Sequence, residues 1–322
     1  MKLRILVTGP SGFIGLAVIN RLIADDFLPI AALRRKPIDW LAQCPVVEVG
    51  DLELNTNWLE ALTGVSSVVH TAAHVHVMDR KSANFLAKFR LVNVAGTLNL
   101  AQQAASAGVK RFIFLSSIKV NGEHTQIGQP FTEKDRTAPV DAYSISKHEA
   151  EVGLQRIAKE TGMEVVIIRP VMVYGPGVKG NFLSMMRWLH KGIPMPFASI
   201  KNVRSLVALD NLVDLIVTCL KHPLAANQTF LVSDGEDIST TQLLQFTASA
   251  MKVKSRLMPV PALMIEVAAK LLNRGDVAQR LCGNLQVDIS KARQLLGWVP
   301  PISVKEGLQK AVESYVQSGV YK

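Results

Sequence analysis

The eight residues Thr8-Gly9-Pro10-Ser11-Gly12-Phe13-Ile14-Gly15 constrain this chain more than any other stretch. They follow a short apolar run, Leu3–Val7, and open an apolar-periodic stretch from Phe13 to Ile23. Glycines at Gly9, Gly12 and Gly15 permit a tight turn, let the backbone approach a diphosphate, and allow a helix to pack closely on a strand. The helix start adds free N–H groups and a positive dipole end. A glycine trio alone is a weak signal. In a strand–turn–helix context it predicts a dinucleotide site built from Gly9, Ser11, Gly12, Phe13, Ile14 and Gly15.

The rest of the first half repeats the alternation. Leu28–Leu33, Val46–Val49, Ser67–Val69, Arg111–Leu115 and Glu164–Ile168 read as strands, with helical patterns from Lys81 to Ala107 and from Ala142 to Glu160. Such spacing predicts βαβ units and an α/β fold, a doubly wound parallel sheet covered on both faces. After Arg169 a run of prolines and glycines changes the texture, and helical signals return at Asp210–Leu220, Thr240–Met251, Pro261–Leu272 and Ser290–Leu296. The expected division is a dinucleotide-binding domain over residues 1–170 and a smaller α/β substrate-binding part over 171–322. Segments within 205–232 are expected to return to the sheet.

Composition narrows the class. Of 322 residues, 48% are hydrophobic and 19% charged, which excludes disordered, collagen-like and coiled-coil chains. Cys44, Cys219 and Cys282 lie far apart, against a disulfide framework or a thiolate metal site. No apolar run reaches the roughly 18–20 residues of a membrane span, and no leader pattern precedes the first strand, so a cytoplasmic protein is expected. The Pro261–Leu272 helix, carrying Glu266 and Lys270, reads as an ordinary amphipathic packing helix. A net charge of +10 comes from scattered basic residues without interleaved aromatics. Nucleic acid is therefore disfavoured as a partner, and an anionic small molecule, an anionic cofactor or a weak bias toward membrane surfaces suits the charge better.

One basic cluster does have a place. At the end of the second strand, NAD enzymes keep an acidic residue that accepts from the adenosine ribose. By register that position is Arg34, followed by Arg35 and Lys36. A guanidinium there can pair with a 2′-phosphate, so NADP(H) is favoured and NAD(H) is the alternative.

Several motifs along the chain carry a family resemblance. They are the TGxxGFIG form of the turn, Gly50-Asp51-Leu52, His70-Thr71-Ala72-Ala73, Asn93-Val94-Ala95-Gly96-Thr97, Leu115-Ser116-Ser117, Tyr143-Ser144-Ile145-Ser146-Lys147, Arg169-Pro170 through Gly177, and Leu296-Gly297-Trp298. The chain resembles the extended short-chain dehydrogenase/reductases with a Rossmann fold, the nucleotide-sugar epimerase, dehydratase and reductase group. The resemblance implies that Asp51 contacts the adenine amine and that Leu52 flanks its ring. Thr71, Ala72, Ala73, Pro170 and Val173 then border the cofactor. Ser117 holds the reacting oxygen, and Lys119 lies beside it. Asn181, Arg204 and Arg280 are placed on a nucleotide diphosphate, with Arg274 a rival to Arg280. The implied partners are a UDP-sugar and a second copy of the chain, joined through a four-helix bundle in which Val92, Leu100, Ala104, Val152 and Ile157 supply apolar contacts.

Tyr143 and Lys147 stand i and i+4 on one helix, so both side chains leave the same face. Moving a hydride to or from a sugar carbon requires a proton to move at its oxygen. A phenol with a pKa near 10 needs roughly 4 kcal/mol of phenolate stabilisation to act at neutral pH. An ammonium about 4 Å away supplies that order of energy. Catalysis is therefore assigned to Ser117, Tyr143 and Lys147, with Tyr143 and Lys147 also contacting the cofactor. His70, His74 and His76 lack a placed carboxylate, and no metal is expected.

The chain departs from the family pattern at Asn121, where many relatives have tyrosine, and no acidic residue flanks Ser117. A dehydratase is therefore disfavoured. Arg34, with the stretches Ser117–Glu123 and Gly177–Phe182, resembles the UDP-N-acetylquinovosamine-type 4-reductases of O-antigen biosynthesis. The expectation is an NADPH-dependent reductase of a 4-keto nucleotide sugar. The alternatives are a UDP-hexose or UDP-N-acetylhexosamine 4-epimerase with retained NAD and, more weakly, a non-enzymatic dinucleotide-sensing module.

Overall fold

Short aliphatic runs bounded by glycine and turn residues become strands buried on both faces. β1 (Arg4–Thr8), β2 (Leu28–Leu33), β3 (Val46–Glu48), β4 (Ser67–His70), β5 (Arg111–Leu115) and β6 (Glu164–Pro170) lie in the order β3-β2-β1-β4-β5-β6, all parallel. This is the strand order of dinucleotide-binding sheets, with its switch point beside β1. β7 (Met172–Tyr174) and β8 (Leu206–Ala208) pair with each other, and β9 (Thr229–Val232) joins β6 as a seventh parallel strand. The segment around Leu206–Ala208 was expected in the main sheet. It forms a separate two-stranded ladder instead, because β7 leaves β6 directly after Pro170 and takes β8 with it.

The computed structural model describes residues 2–35, 44–75, 85–272 and 275–319. Lys36, His76, Arg274 and the start of the helix expected from Lys81 lie outside them.

Helices cover both faces. On one side, α1 (Phe13–Ala24) packs Val18, Ile19 and Leu22 against Ile5, Val7 and Ile113. On the other, α2 (Leu59–Leu62), α3 (Phe85–Phe89), α4 (Thr97–Ser106) and α5 (Ala142–Thr161) follow, with Leu62, Leu100, Ala104, Leu154 and Ile157 over Val68, Phe112 and Phe114. Leu100, Ala104 and Ile157 are thus spent on the sheet and are not available to a bundle between subunits. Val152 stays exposed and Val92 half-buried. Between α3 and α4, Arg90–Gly96 is a π-helical turn rather than the uninterrupted α-helix expected.

Beyond β6 come α6 (Gly180–His190), α7 (Leu209–Lys221), α8 (Thr240–Ala250), α9 (Ala262–Leu271), α10 (Gly275–Cys282), α11 (Ser290–Leu296) and α12 (Val304–Gln317). α7 and α11 join the core on the α1 side, whereas Tyr174, Phe182, Met186, Leu308 and Val312 form a separate core for the C-terminal part. Tyr174 donates to Asp234 at 2.7 Å, and a Cβ added at Gly307 would stand 2.8 Å from its hydroxyl, so α12 seats there only through a glycine. α9 does not behave as a packing helix. None of its residues is buried.

Candidate active site

The loops after β1, β4, β5 and β6 meet at the carboxyl ends of the strands, where open parallel sheets place their ligands. Gly9 sits at φ +66°, a conformation that favours glycine, and its carbonyl accepts from Gly12 N at 3.0 Å. A Cβ on Gly15 would lie 2.1 Å from that carbonyl oxygen, and one on Gly9 would lie 2.9 Å from the Ala72 backbone. The turn is therefore closed by backbone contacts that only glycine permits. Gly12 caps α1 with no side chain, and no acidic residue stands in the first turn. An uncapped helix start with a bare cradle fits a dinucleotide diphosphate.

The Thr71–Ala73 loop is fastened to this turn. Thr71 Oγ1 donates to the Thr8 carbonyl at 2.7 Å, and Ala72 N donates to Thr8 Oγ1 at 3.3 Å. His70 is fully buried, with Nδ1 2.7 Å from Thr8 Oγ1 and Nε2 3.0 Å from Thr97 Oγ1. Burial, with Lys147 nearby, pushes its imidazole down to about 3. His70 is thus a neutral strut beneath the turn. Leu52 lies against Gly96, where a Cβ would meet its backbone at 2.8 Å.

Arg34 stands at the end of β2 as the register requires, but its side chain is 74% exposed and reaches Asp51 at 3.4 Å. Arg35 is exposed beside it. The guanidinium expected to read a 2′-phosphate and the carboxylate expected near the adenine therefore face each other across the β2–β3 edge.

Asp141 opens α5 with a capping box, accepting from Ser144 N at 2.7 Å, and so sets Tyr143 in the first turn. Lys147, one turn on, is buried and donates to the Leu115 carbonyl at 2.8 Å, with its ammonium 4.4 Å above the Phe114 ring. Ser117 follows two residues after Leu115, whose carbonyl is the one that Lys147 engages. Burial drives Lys147 down to about 7, opposed by the charge of Glu151. Burial also pushes the Tyr143 phenol up, and Asp141 adds to this. The lowered phenol expected from the sequence is not supplied by the protein alone. Lys147 is directed into the strand end, and a further positive charge beside the ring is needed.

Lys119, expected on the substrate, is held instead by Asp141 at 2.6 Å and Glu123 at 3.1 Å. It ties the Ser117 loop to the cap of the Tyr143 helix. Asn181, Arg204 and Arg280 do come together, lining one cavity of about 320 Å³ between α6, α8 and α10. Burial and the neighbouring Arg280 lower the Arg204 guanidinium below its usual value, as expected where two cations share a pocket. Met172, Phe182 and Trp188 supply apolar walls. Pro170 ends β6, and Val173 lies in β7 against the core of the main sheet.

Several supporting residues carry no role in the motif reading. Asn93, in the π-helical turn, accepts from His74 N at 2.7 Å and donates to the His74 carbonyl and to Ser146 Oγ, both at 3.0 Å. Ser116 donates to Glu151 at 2.5 Å, and Glu151 holds Arg169 through bonds of 3.0 and 2.5 Å. Arg169 reaches Asn121 at 2.9 Å, and Asn121 donates to the Thr132 carbonyl. Asn121, the departure from the family's tyrosine, thus serves a buried network. A glutamate one turn beyond Lys147 and an arginine before Pro170 were the signals available in the sequence.

The model of the NAD dependent epimerase/dehydratase family matches residues 5–233. The chain belongs to this family. It is an enzyme of the NAD-dependent epimerase/dehydratase family, which sets aside the sensing-module alternative, and its cofactor is a nicotinamide dinucleotide. A UDP-glucose 4-epimerase of Vibrio cholerae is 49% identical over 322 residues, spanning 99% of this chain and 97% of its own. That near-complete match overturns the reading of the chain as a 4-keto-sugar reductase. The Arg34 argument failed because one exposed guanidinium does not set the direction of a reaction. In fold, the family member resembles a UDP-glucose 4-epimerase of Thermotoga maritima solved with UDP-glucose (TM-score 0.78, 24% identity, 98% of this chain and 99% of the other). It also resembles the enzyme WbmG of Bordetella bronchiseptica solved with NAD and UDP (TM-score 0.75, 21% identity, 99% and 97% covered).

Proposed function

We propose that this enzyme is a UDP-sugar 4-epimerase. The observation that carries the reading is the 49% identity, end to end, to a UDP-glucose 4-epimerase. The site supports it chemically. Ser117 and Tyr143 hold the 4-oxygen of the sugar; Tyr143 takes the hydroxyl proton, keeps it while the ring turns, and returns it to the same oxygen from the other face. Lys147 orients the ribose of the cofactor and steadies the phenolate. Gly9, Ser11, Gly12, Phe13, Ile14 and Gly15 hold the dinucleotide diphosphate, with Asp51, Leu52, Thr71, Ala72, Ala73, Pro170 and Val173 along its length. When bound, the nicotinamide supplies the hydride acceptor and donor at C4. Arg204 and Arg280, with Asn181, receive the UDP diphosphate, since paired guanidiniums suit phosphate oxygens. Ile118 and Lys119 beside Ser117 offer no acid–base pair for dehydration.

Epimerisation returns its hydride within each turnover, so NAD(H) held through the cycle is the cofactor that fits, and Arg34 balances Asp51 at the rim. A homodimer through the Arg90–Gly96 turn, α4 and α5 is proposed as well, with exposed Leu91 and Val152 and half-buried Val92 on its face. The test is incubation with UDP-glucose and UDP-N-acetylglucosamine without added nucleotide, the sugars being resolved by chromatography. Interconversion with the 4-epimer is expected, and NAD(H) should be released on denaturation. No interconversion of either sugar by enzyme carrying its dinucleotide would refute the reading.

A further inference from the structure

α9 carries its apolar side chains outward. Leu263 is 70% exposed, Met264 61%, Val267 50% and Leu271 81%. Positions i, i+1, i+4 and i+8 fall within about 100° of one another around a helix, so these four form a single face. The opposite side, with Ile265 and Ala269, turns toward α10 and is less exposed. Four large apolar groups on one face of a ten-residue helix form a patch that calls for a partner.

Charge identifies that partner. Residues 171–209 and 238–265 contain no aspartate or glutamate, yet they hold Lys179, Arg187, Lys191, Lys201, Arg204, Lys252, Lys254 and Arg256. The two stretches lie side by side: Met195 N donates to the Arg256 carbonyl at 2.9 Å, and Met258 N donates to the Met195 carbonyl at 2.8 Å. Pro261 then leads directly into α9. Lys252, Lys254, Arg256 and Met258 are exposed along this approach, as are Trp188 and Ile193 on the neighbouring stretch. An apolar helix face approached by the exposed Lys252, Lys254 and Arg256, with Glu266 the one carboxylate on α9, is the pairing that interfacial membrane binding requires, since neither signal alone gives stable attachment.

We propose that this face docks on an anionic phospholipid bilayer, with Leu263, Met264, Val267 and Leu271 in the interfacial layer and Lys252, Lys254 and Arg256 against the headgroups. Docking is peripheral, because among the described residues no helix is long and apolar enough to cross a membrane. Trp188 and Arg280 line the substrate cavity, and α10 packs on α9, so a single helix separates the docked face from the cavity. The inference goes beyond the epimerase reading and does not depend on it.

The experiment is co-sedimentation of the full chain with vesicles of phosphatidylcholine alone or mixed with phosphatidylglycerol. Binding is expected only to the anionic vesicles and should weaken as salt is raised. The double variant L263E/L271E should lose about tenfold or more of its affinity, and each of K252Q, K254Q and R256Q about fivefold. Both sets are exposed and outside the substrate cavity, so turnover of a UDP-sugar in solution should match wild type. Failure of wild type to bind anionic vesicles, or equal binding by L263E/L271E, overturns the proposal. So does a halved mass of L263E/L271E in light scattering, which would make the face a subunit interface. A chain that binds vesicles but turns over no UDP-sugar would count against the epimerase reading and leave the docking intact.

Discussion

Lys147 Nζ and the Leu115 carbonyl oxygen are joined by a 2.8 Å hydrogen bond that locks the helix bearing Tyr143 to the end of the strand leading to Ser117. The ammonium is thereby a structural tether between the catalytic helix and the strand end. Tyr143→Phe removes only a hydroxyl, so kcat should fall by about 10²–10⁴-fold while NAD affinity stays within roughly threefold, the loss being in the transition state. Lys147→Ala should weaken NAD binding as well, because it removes the ribose contact and the tether together. Steady-state kinetics with fluorescence titration of the cofactor separates the two.

Glu151 lies one turn beyond Lys147 and forms a bidentate pair with Arg169, both side chains buried. Glu151→Gln leaves a buried guanidinium without its counter-charge, which should cost about 3–5 kcal/mol in urea unfolding. The charge of Glu151 also holds Lys147 up against burial. Its removal should therefore move the alkaline limb of the pH–rate profile to lower pH.

His70 should make the protein acid-sensitive. Its folded pKa is about 3 against an ordinary 6.5, so between those values the unfolded chain binds a proton that the folded chain refuses. Stability from this group is fully present above pH about 6.5 and falls as pH drops toward 3, by up to about 1.4 kcal/mol per pH unit. His70→Asn, which cannot titrate, should flatten that part of the stability curve in denaturant titrations at stepped pH.

Gly15→Ala should abolish dinucleotide binding. The added methyl would overlap the Gly9 carbonyl at 2.1 Å, and backbone cannot yield as a flexible side chain would. Loss of about tenfold or more in NAD affinity is expected, with a lowered Tm, because the overlap opens the turn that forms the cradle.

Arg34→Asp tests the rim. A carboxylate there repels a 2′-phosphate but accepts from free ribose hydroxyls. NADP affinity should drop by about tenfold or more, with NAD affinity unchanged or improved, as read by titration of the apoenzyme with each dinucleotide. Equal losses for both would show that Arg34 serves only its partner Asp51.

Elements written in short-range pattern were legible. The Thr8–Gly15 turn, the strands at Leu28–Leu33 and Arg111–Leu115 and the helix from Ala142 announce themselves through glycine spacing, aliphatic runs and i, i+4 periodicity. α12 was equally legible but unread, although Ser303 and Glu306 form a capping box and Leu308, Ala311, Val312 and Tyr315 follow at helical spacing. α6 was hidden by the surrounding glycines and prolines. The convergence of Asn181, Arg204 and Arg280 on one cavity could be inferred only through the family resemblance, since long loops separate them.

A doubly wound parallel sheet, the dinucleotide turn and the Tyr143–Lys147 pair follow from short-range pattern, because each depends on residues within a few turns of one another. What those residues meet depends on how the whole chain packs. Leu100, Ala104 and Ile157 faced the sheet, where Val68, Phe112 and Phe114 offer them an apolar surface to cover. Lys119 was captured by Asp141, brought near by folding, as well as by Glu123 four residues on, and Arg34 met Asp51 across adjacent loops. Lys147 fell toward neutrality and Tyr143 rose because burial, a property of the whole packed chain, acts on a charge more strongly than its neighbours in sequence. The apolar face of α9 reads in sequence like any core face, and packing alone left it outside.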